Sequence, residues 1–420
     1  MENSLVIIGA SYAGVQIAAS VRERGFSGSI TLLGDELEAP YQRPFLSKGY
    51  LTHPSTQPVQ SLRAQTFFEQ ERINWRPNSR AVKIDRDEHT IEIEGGERLS
   101  YDHLALTTGA RVRPLDCPGA NLAGVHYLRS LVDARQLREA ASGARRAVVV
   151  GAGYIGLEVA ASLRQKGVEV TVVEPMQRVL ARVTSKWMSE FVMQAHMAHG
   201  VAFELGNGVT ALYGSKGRVE CVELGDGQTL SCDLVVIGIG VLPNVELAQA
   251  CGLAVQGGVV VDDFARTSDH SIVAAGDCAA FRCIWQAPGS SVCRIESVQN
   301  ANDMAKVAAA TIMGETTPHK ALPWFWSDQF DLKLQMAGLQ SGSDHQVIRG
   351  SLRDRKFSVF YFRDETLVAV DSVNSPLDHM MARKMLGKGL SPSAQQMDSD
   401  AFDLKLFVNN GVSVAQNPNG

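Results

Sequence analysis

Two stretches of the chain show the same succession of apolar and polar positions. Residues 5–8 and 147–150 are short apolar runs rich in Val and Ile, which is typical of strands buried in a parallel sheet. Each run leads into a glycine-rich turn and then into apolar residues at helical spacing, which end at Gly25 in the first stretch and at Gly167 in the second. The pattern predicts two strand–turn–helix units.

Both turns have the spacing of a dinucleotide-binding fingerprint. Residues 9–14 read GASYAG, with Ser11 in place of the middle glycine, and residues 151–156 read the complete GAGYIG. Glycine lets the backbone approach a pyrophosphate, which the free N–H groups of the following helix then bind. A chain with two such sites can hold a flavin and a nicotinamide together, so that hydride can pass between them.

An acidic residue follows the second strand of each unit, where the ribose-binding carboxylate belongs. This residue is Asp35 in the first unit and Glu174 in the second. Glu174 favours NADH, because the 2′-phosphate of NADPH would meet a carboxylate rather than an arginine. Arg178 and Arg182 lie just beyond Glu174, so the sequence leaves the choice of nucleotide open.

The apolar pattern after the second unit predicts a return to the first one. A strand at 234–240 closes the second unit, and an apolar strand that runs into Gly276 and Asp277 then rejoins the first. From about residue 319, segments of period 2 at 332–336, 357–362 and 367–370 predict an antiparallel sheet, which a helix at 376–386 would cover.

We therefore predict an α/β chain with two Rossmann-type dinucleotide domains and a C-terminal α+β domain. The predicted bounds are 1–113 and 245–318 for the two parts of the first dinucleotide domain, 114–244 for the second, 319–410 for the C-terminal domain and 411–420 for a tail.

Composition excludes several classes of function. The 420 residues are 45% hydrophobic and 20% charged, with a net charge of −5, so nothing indicates a protein that binds nucleic acid. No apolar run approaches the roughly 20 residues of a membrane span. The N-terminus lacks the basic region of a signal peptide. We expect a cytoplasmic protein that is not bound to a membrane.

Cysteine and histidine spacing gives no sign of a metal or disulfide centre. The seven cysteines form no C-x-x-C pair, and we interpret them as small, partly buried residues in a reducing compartment. His196 and His199 lie three residues apart on a predicted helix, and we interpret them as part of a solvated helix face. We predict no metal site.

Seven short segments, in this order, resemble the FAD-dependent ferredoxin reductases of bacterial oxygenase systems. That family includes putidaredoxin reductase, rubredoxin reductase and the reductase component of aromatic-ring dioxygenases. The resemblance covers nearly the whole chain and implies a glutathione-reductase-like fold with FAD, NAD and C-terminal domains. The segments are RPFLSK (43–48), TTG (107–109), GYIGLE (153–158), RVLARV (178–183), GDC (276–278), RIESVQN (294–300) and PWFWSDQ (323–329).

The resemblance implies which residues bind the cofactors, FAD and NADH. Ser11 and Phe45, where many relatives have glycine and proline, are departures that remove no chemical group. The FAD residues would be Gly9, Ala13 and Gly14 at the pyrophosphate, Asp35 at the ribose, Ala81 at the adenine, Arg129 at the diphosphate, Asp277 at the ribityl chain, and Arg43, Lys48, Val298 and Trp326 on the flavin side. Thr108 and Gly109 would be further cofactor-binding residues. The NADH residues would be Gly151, Gly153, Ile155, Gly156, Glu158, Glu174, Arg182 and Gly240.

Three of these residues are candidates for a catalytic role. Lys48 and Glu158 would form an ion pair near flavin N5, or else a structural salt bridge between domains. Trp326 would lie between the flavin and a partner, or else serve as a packing residue over the flavin. Hydride transfer itself depends on the positioning of the two rings, so no side chain needs to act as an acid or a base.

The absence of a thiol relay indicates the electron acceptor. No cysteine precedes Cys117, and the segment where peroxide-reducing relatives carry a catalytic cysteine has Lys48 instead. Electrons must then leave the flavin directly. We expect the acceptor to be a [2Fe–2S] ferredoxin, with rubredoxin as the second choice, and we expect the ferredoxin to supply a terminal oxygenase. Arg383, Lys384 and Lys388 would dock this acidic partner, or else form a solvated helix end.

Two other functions stay open at this point. The first is an NADH oxidase or a reductase of small acceptors such as quinones or monodehydroascorbate. The second is a redox sensor that resembles apoptosis-inducing factor. The sequence does not distinguish a monomer from a homodimer.

Overall fold

The chain crosses five times between two compact units. The computed structural model describes residues 3–53, 58–287, 289, 292–399 and 401–411, so the predicted tail lies, beyond Gly411, outside the described residues. The first unit consists of residues 1–42, 59–111 and 242–325, and the second of 43–58, 112–241 and 326–420. Short strands, Ala110–Val112 and Val241–Pro243, lie where the longer excursion begins and ends.

The first unit is built on a five-stranded parallel sheet. Its strands, in spatial order, are Ile272–Ala274, His103–Leu106, Ser4–Ile8, Ser29–Leu33 and Ile73–Arg76. The helices of this unit are Tyr12–Glu23, Gln65–Gln70, Glu246–Ala250 and Val298–Ile312. Smaller sheets pair Ala81–Asp85, Thr90–Ile93 and Arg98–Ser100, and Val259–Val260 with Ala279–Ala280. Helix Val298–Ile312 packs against Tyr12–Glu23.

The second unit contains a matching five-stranded parallel sheet. Its strands, in spatial order, are Val201–Leu205, Glu169–Glu174, Arg146–Val150, Leu234–Ile237 and Val125–Tyr127. The helices around it are Gly49–Thr52, Leu131–Gly143, Tyr154–Gln165 and Lys186–Ala198, and a 3₁₀ turn spans Arg43–Phe45. A three-stranded antiparallel sheet consists of Val209–Ser215, Arg218–Leu224 and Thr229–Ser231.

The C-terminal part forms a five-stranded antiparallel sheet. Its strands, in spatial order, are Trp324–Gln329, Leu332–Gly338, Thr366–Val373, Lys356–Arg363 and His345–Ser351. Helix Pro376–Lys388 packs on the second and third of these, and two shorter helices, Ala394–Met397 and Leu404–Asn410, follow it. The period-2 pattern predicted the three inner strands and the covering helix. It missed the two edge strands, Trp324–Gln329 and His345–Ser351.

The helices that follow the two fingerprint turns differ from other long helices at their N-termini. Ser130, Ser185 and Ser297 each cap a long helix by accepting a hydrogen bond from a backbone N–H. The two helices that follow the fingerprints, Tyr12–Glu23 and Tyr154–Gln165, have neither such a side-chain bond nor an acidic residue in the first turn. Their N-termini therefore retain the partial positive charge that attracts a phosphate.

The predicted helix ends are confirmed. Gly25 and Gly167 each have a φ of +86° directly after the capping residue, a conformation that favours glycine. Within the described ranges, no helix combines the length and the apolar composition that crossing a bilayer requires.

Candidate functional site

The first fingerprint turn requires glycine at both of its ends. Gly9 has a φ of +116°, and a Cβ atom there would lie 2.1 Å from the carbonyl oxygen of Thr107. A Cβ atom on Gly14 would lie 1.9 Å from the carbonyl oxygen of Gly9. The Thr107 hydroxyl shares its hydrogen between the carbonyl oxygens of Ile8 and Gly9, at 3.0 and 2.8 Å. Thr107 thus fixes the turn, although the sequence analysis gave it no role.

Other predicted FAD residues of the first unit meet at the carboxyl end of its parallel sheet. Asp35 follows Ser29–Leu33 and is exposed, while the neighbouring Glu36 accepts a hydrogen bond from the Tyr41 hydroxyl at 2.6 Å. Thr108 and Gly109 follow His103–Leu106, and Asp277 follows Ile272–Ala274. Because parallel strands end at one edge, these residues lie on the same side as Gly9.

Three of the predicted FAD residues, Thr108, Ala81 and Val298, have different surroundings. The Thr108 hydroxyl donates to the carbonyl oxygen of Asn244 at 2.7 Å, so it holds a loop. Ala81 is buried at the start of its strand, and Val298 is the first residue of its helix. The glycine turn, the uncapped helix and the exposed carboxylate after the second strand together fit a bound dinucleotide in the first unit.

The second fingerprint turn repeats this geometry. Gly151 has a φ of +104°, and a Cβ atom there would lie 2.5 Å from the carbonyl oxygen of Gly238. A Cβ atom on Gly156 would lie 2.0 Å from the carbonyl oxygen of Gly151, whereas one on Gly153 would meet nothing within 4 Å. The open space beside Gly153 is the approach that a pyrophosphate needs. Ile155, at the start of the same helix, is 45% exposed.

Glu174 lies against the second fingerprint turn. One carboxylate oxygen accepts the backbone N–H of Ala152 at 2.8 Å, and the other accepts that of Met176 at 3.0 Å. The guanidinium of Arg178 donates instead to the Ser189 hydroxyl at 2.5 Å and the Ala181 carbonyl oxygen at 2.7 Å. Arg178 is thus committed to its own loop.

Arg182 and Gly240 are further predicted NADH residues of the second unit. Arg182 is exposed and lines a cavity of about 580 Å³, together with residues of the loop at 340–346. Gly240, with a φ of +101°, follows the strand Leu234–Ile237.

Lys48 and Glu158 form the predicted ion pair. Lys48 lies at the N-terminus of Gly49–Thr52, a short helix that packs on Tyr154–Gln165, which carries Glu158. The Lys48 ammonium lies 2.8 Å from Glu158 Oε2, and the two side chains are 18% and 1% exposed. A carboxylate buried so deeply is stable only with a close cation and further donors.

Two hydroxyl groups complete the surroundings of Glu158. Ser47 donates to Oε2 at 2.5 Å, and Ser327 donates to Oε1 at 2.6 Å. Ser327 belongs to the strand Trp324–Gln329 of the C-terminal sheet, so this sheet contributes directly to the carboxylate. Both serines occur in the segments that resemble the reductase family, yet a serine by itself does not reveal which distant acid it contacts.

A second buried carboxylate, Asp371, lies in the C-terminal sheet. It accepts hydrogen bonds from the Thr184 hydroxyl at 2.5 Å and the Tyr361 hydroxyl at 2.8 Å, and Thr184 comes from the loop after Glu174. Burial, opposed by these two hydroxyls, raises the pKa of Asp371 to about 6. Thr184 and Tyr361 also line the cavity of Arg182. Sequence reasoning missed Asp371, because it lies within a strand without a recognisable motif.

The remaining predicted residues lie as follows. Arg43 donates to the carbonyl oxygen of Arg129 at 2.9 Å, so this predicted pair lies together in the second unit. Trp326 is half-buried and adjoins Ser327 on a strand, so their side chains point to opposite faces. The basic residues proposed for docking, Arg383, Lys384 and Lys388, are exposed on helix Pro376–Lys388.

The interpretation of His196 as a solvated residue is wrong. His196 is 0% exposed and packs edge-on against Phe330, with ring centres 5.0 Å apart. His199 is stacked on the same phenylalanine at 4.0 Å. Spacing along a helix does not show which face a distant strand covers. All seven cysteines are free, and among the described residues no cluster of three or more His, Cys, Asp or Glu side chains could hold a metal.

Comparison with family models assigns the whole fold. Residues 3–305 match the model described as pyridine nucleotide-disulphide oxidoreductase, and residues 324–408 match the one described as reductase C-terminal. The chain belongs to the pyridine nucleotide-disulphide oxidoreductase family. This membership confirms the predicted fold class and the two predicted cofactors, FAD and NAD(H).

Known relatives of this oxidoreductase cover nearly its full length. Rhodocoxin reductase of Rhodococcus erythropolis is 47% identical over 406 residues, which are 96% of this chain and 94% of the relative. The crystal structure of the ferredoxin reductase for the CYP199A2 system of Rhodopseudomonas palustris has a TM-score of 0.92 at 43% identity, and covers 96% and 99% of the two chains. Putidaredoxin reductase in its covalent complex with putidaredoxin also has a TM-score of 0.92, at 36% identity and 97% and 99% coverage.

Proposed function

We propose that this protein is an NADH-dependent, FAD-containing ferredoxin reductase. The observation that carries the proposal is the position of Lys48. Two dinucleotide fingerprints are present, and the residue after Ser47 is a lysine paired with Glu158 rather than a cysteine. Since no cysteine precedes Cys117, electrons leave without a thiol intermediate. The similar proteins, which include ferredoxin reductases and a complex of putidaredoxin reductase with putidaredoxin, support a ferredoxin as the acceptor.

Each group of residues has a role in this function. The chemistry that bound FAD supplies is acceptance of a hydride from NADH and release of the two electrons singly. Gly9 and Gly14 let the backbone approach the FAD pyrophosphate, and Gly153 does so for NADH. Glu174 receives the adenosine ribose of NADH, and the Lys48–Glu158 pair orients the nicotinamide end.

The low exposure of the Lys48–Glu158 pair also matters for catalysis. A charge pair in a site from which water is excluded interacts more strongly than it would in water. Neither residue needs to transfer a proton, because hydride moves between the two cofactors. The pair therefore acts through its position and its field.

The finer assignments remain part of the proposal. The ferredoxin would be of the [2Fe–2S] type, with rubredoxin as the second choice, and would pass electrons to a terminal oxygenase. Arg383, Lys384 and Lys388 offer an exposed basic helix to an acidic partner. The monomeric or homodimeric state and the cytoplasmic location stay predictions from the sequence.

Anaerobic stopped-flow reduction by NADH tests the proposal. The holoenzyme is reduced with NADH and then mixed with a panel of [2Fe–2S] ferredoxins and a rubredoxin. We expect rapid bleaching of the flavin absorbance and rapid transfer to at least one ferredoxin. Rapid bleaching without transfer to any of these proteins would contradict the proposal, and fast turnover with quinones or oxygen would then identify a reductase of small acceptors.

A further inference from the structure

The buried contacts of Glu158 continue away from Lys48 in a row of hydrogen bonds. Beyond Ser327, the side-chain N–H of Gln329 donates to the Ser327 oxygen at 3.0 Å. The side-chain oxygen of Gln329, Oε1, lies 2.9 Å from Nε2 of His196. Ser327, Gln329 and His196 are each 0% exposed, so the row is closed to water.

The direction of every bond in this row follows from its end at Glu158. A carboxylate only accepts, so Ser327 gives Glu158 its single hydroxyl hydrogen. The Ser327 oxygen must then accept from the amide of Gln329, which turns the Gln329 carbonyl oxygen toward His196. His196 therefore carries its proton on Nε2, because only an N–H can face that carbonyl oxygen.

The other side of the His196 ring agrees with this assignment. Its Nδ1 atom is buried and has no hydrogen-bond partner among the residues that the structure describes, so a second proton there would be unpaired. Burial lowers the pKa of His196 to about 4, and the ring is neutral near pH 7. All the hydrogens of the row thus point toward Glu158, and such bonds strengthen one another.

We propose that Ser327 and Gln329 are positioning residues, which hold the Glu158 carboxylate in the orientation that hydride transfer from NADH requires. This inference rests on the proposed function, in which the Lys48–Glu158 pair acts at the nicotinamide. Ser327 satisfies Oε1, so that Oε2 stays available to Lys48 and Ser47. Without the Ser327 hydroxyl, the carboxylate would turn to share its two remaining donors, and Lys48 would move with it.

Stopped-flow reduction of four variants tests the positioning role. For Ser327→Ala we expect the limiting rate of flavin reduction to fall about tenfold, with a smaller change in the apparent Kd of NADH, since one bond to a charged group is lost. Ser327→Thr, which keeps the hydroxyl, should restore most of the rate. Gln329→Met should slow reduction about threefold, because the Ser327 hydroxyl remains but is less polarised.

The control variant is Ser358→Ala. Ser358 is also a serine of the C-terminal sheet with 0% exposure, but its hydroxyl bonds to Ser372 and Asp378. It should reduce stability without slowing flavin reduction. A rate loss in Ser358→Ala equal to that in Ser327→Ala would show a general packing effect and overturn the proposal.

The row of hydrogen bonds can also be tested by a measurement that does not depend on flavin reduction. Nitrogen-15 NMR of the imidazole should show His196 in one neutral tautomer, protonated on Nε2. In Ser327→Ala, the Gln329 amide loses its acceptor and is free to rotate, so we expect a mixture of tautomers. An unchanged single tautomer in that variant, or a parent tautomer protonated on Nδ1, would contradict the row.

The two proposals fail in different ways. If Lys48 variants slow reduction while Ser327→Ala does not, the function stands and the positioning role is wrong. If neither change affects reduction but the tautomer shifts as expected, the row exists and the role of the Lys48–Glu158 pair at the nicotinamide is wrong.

Discussion

Glu158 and Asp371 are two buried carboxylates of the second unit, and different groups surround their charges. Glu158 belongs to the second parallel-sheet domain and accepts a hydrogen bond from Ser327 of the C-terminal sheet. Asp371 belongs to the C-terminal sheet and accepts a hydrogen bond from Thr184 of the parallel-sheet domain. Glu158 has a cation, Lys48, at 2.8 Å. Within the described part of the chain, the donors to Asp371 are the hydroxyls of Thr184 and Tyr361, and burial raises the pKa of its carboxyl group to about 6.

The two carboxylates differ in what compensates for the loss of water around their charge. Neutral hydroxyls do not repay the loss of water around a buried charge, so Asp371 gains its proton close to neutral pH. Adding an ammonium group supplies the missing Coulomb energy at Glu158. A group that contributes an electric field to a reaction needs that permanent charge, while a group that only joins two parts of the fold does not.

Removal of the cation should have the largest effect. In Lys48→Met, Glu158 keeps two hydroxyl donors and becomes like Asp371. We expect a loss of about 3–5 kcal/mol in the free energy of unfolding, as for a broken buried pair. Flavin reduction by NADH should fall by about 100-fold, which corresponds to about 2.7 kcal/mol. Denaturant unfolding and stopped-flow absorbance measure the two effects.

The control for this change is Lys306→Met. Lys306 pairs with Asp303 at 3.6 Å, but its side chain is 52% exposed, so its loss should change stability by about 0.5 kcal/mol or less. If Lys48→Met reduces its flavin within twofold of the parent rate, the charged pair has no role in the reaction.

Neutralising Asp371 should have the next largest effect, and it should depend on pH. An acid whose pKa is raised by folding stabilises the fold when protonated, and this contribution is lost as pH rises from about 4, the unfolded value, to about 6. Asp371→Asn keeps an oxygen to accept both hydroxyls and should be more stable than the parent above pH 6, by up to about 3 kcal/mol.

Unfolding free energies of both proteins between pH 4 and pH 7 measure this effect. The parent contains buried histidines, His196 and His379, with pKa values lowered to about 4, whose contribution has the opposite sign. They are present in both proteins and cancel in the difference. A difference that is constant with pH would show that Asp371 does not titrate in this range.

Glu174 extends the comparison to a half-buried carboxylate that accepts hydrogen bonds from two backbone N–H groups. In Glu174→Arg, a guanidinium replaces the carboxylate that would repel the 2′-phosphate of NADPH. We expect the ratio of kcat/KM for NADPH over NADH to rise about tenfold or more. Steady-state kinetics with both nucleotides measure the ratio, and Glu174→Gln separates loss of charge from its reversal. An unchanged ratio in Glu174→Arg would refute the assignment of Glu174 to the ribose.

The smallest expected effect comes from one donor to Asp371. Thr184→Val removes the hydroxyl at nearly constant volume and should reduce the free energy of unfolding by about 1–2 kcal/mol. It should also raise the pKa of Asp371 further, so the loss should be greater at pH 7 than at pH 4. Thr184→Ser is the matched control, and an equal loss in both variants would point to packing rather than to the hydroxyl.

The sequence predicted those parts of the site that depend on local chain geometry. Gly14 and Gly156 closely approach the first glycine of their own turn, whereas Gly9 and Gly151 approach the backbone after a neighbouring strand. Such turns have a recognisable spacing in the sequence. The Lys48–Glu158 pair followed from the family resemblance.

The row beyond Glu158 could not be predicted in the same way. Ser327 and His196 are separated from their partners by 169 and 133 positions, and a serine or histidine can bond to many groups. Only the tertiary packing of the C-terminal sheet selects one partner. His196 was misread for this reason, since its helix faces a strand that helical spacing does not reveal.

The placement of Ser327 also has a consequence for how the protein is made. On a ribosome, Lys48 emerges early and Glu158 follows, but Ser327 is synthesised 169 residues after Glu158. Until then, one oxygen of a carboxylate destined for the interior has no partner, and its burial is unfavourable. The nucleotide-binding half of the nascent chain therefore cannot complete its interior before the strand that carries Ser327 is synthesised. A prematurely terminated product would keep this defect, which marks it for removal by proteases that act on partly open chains.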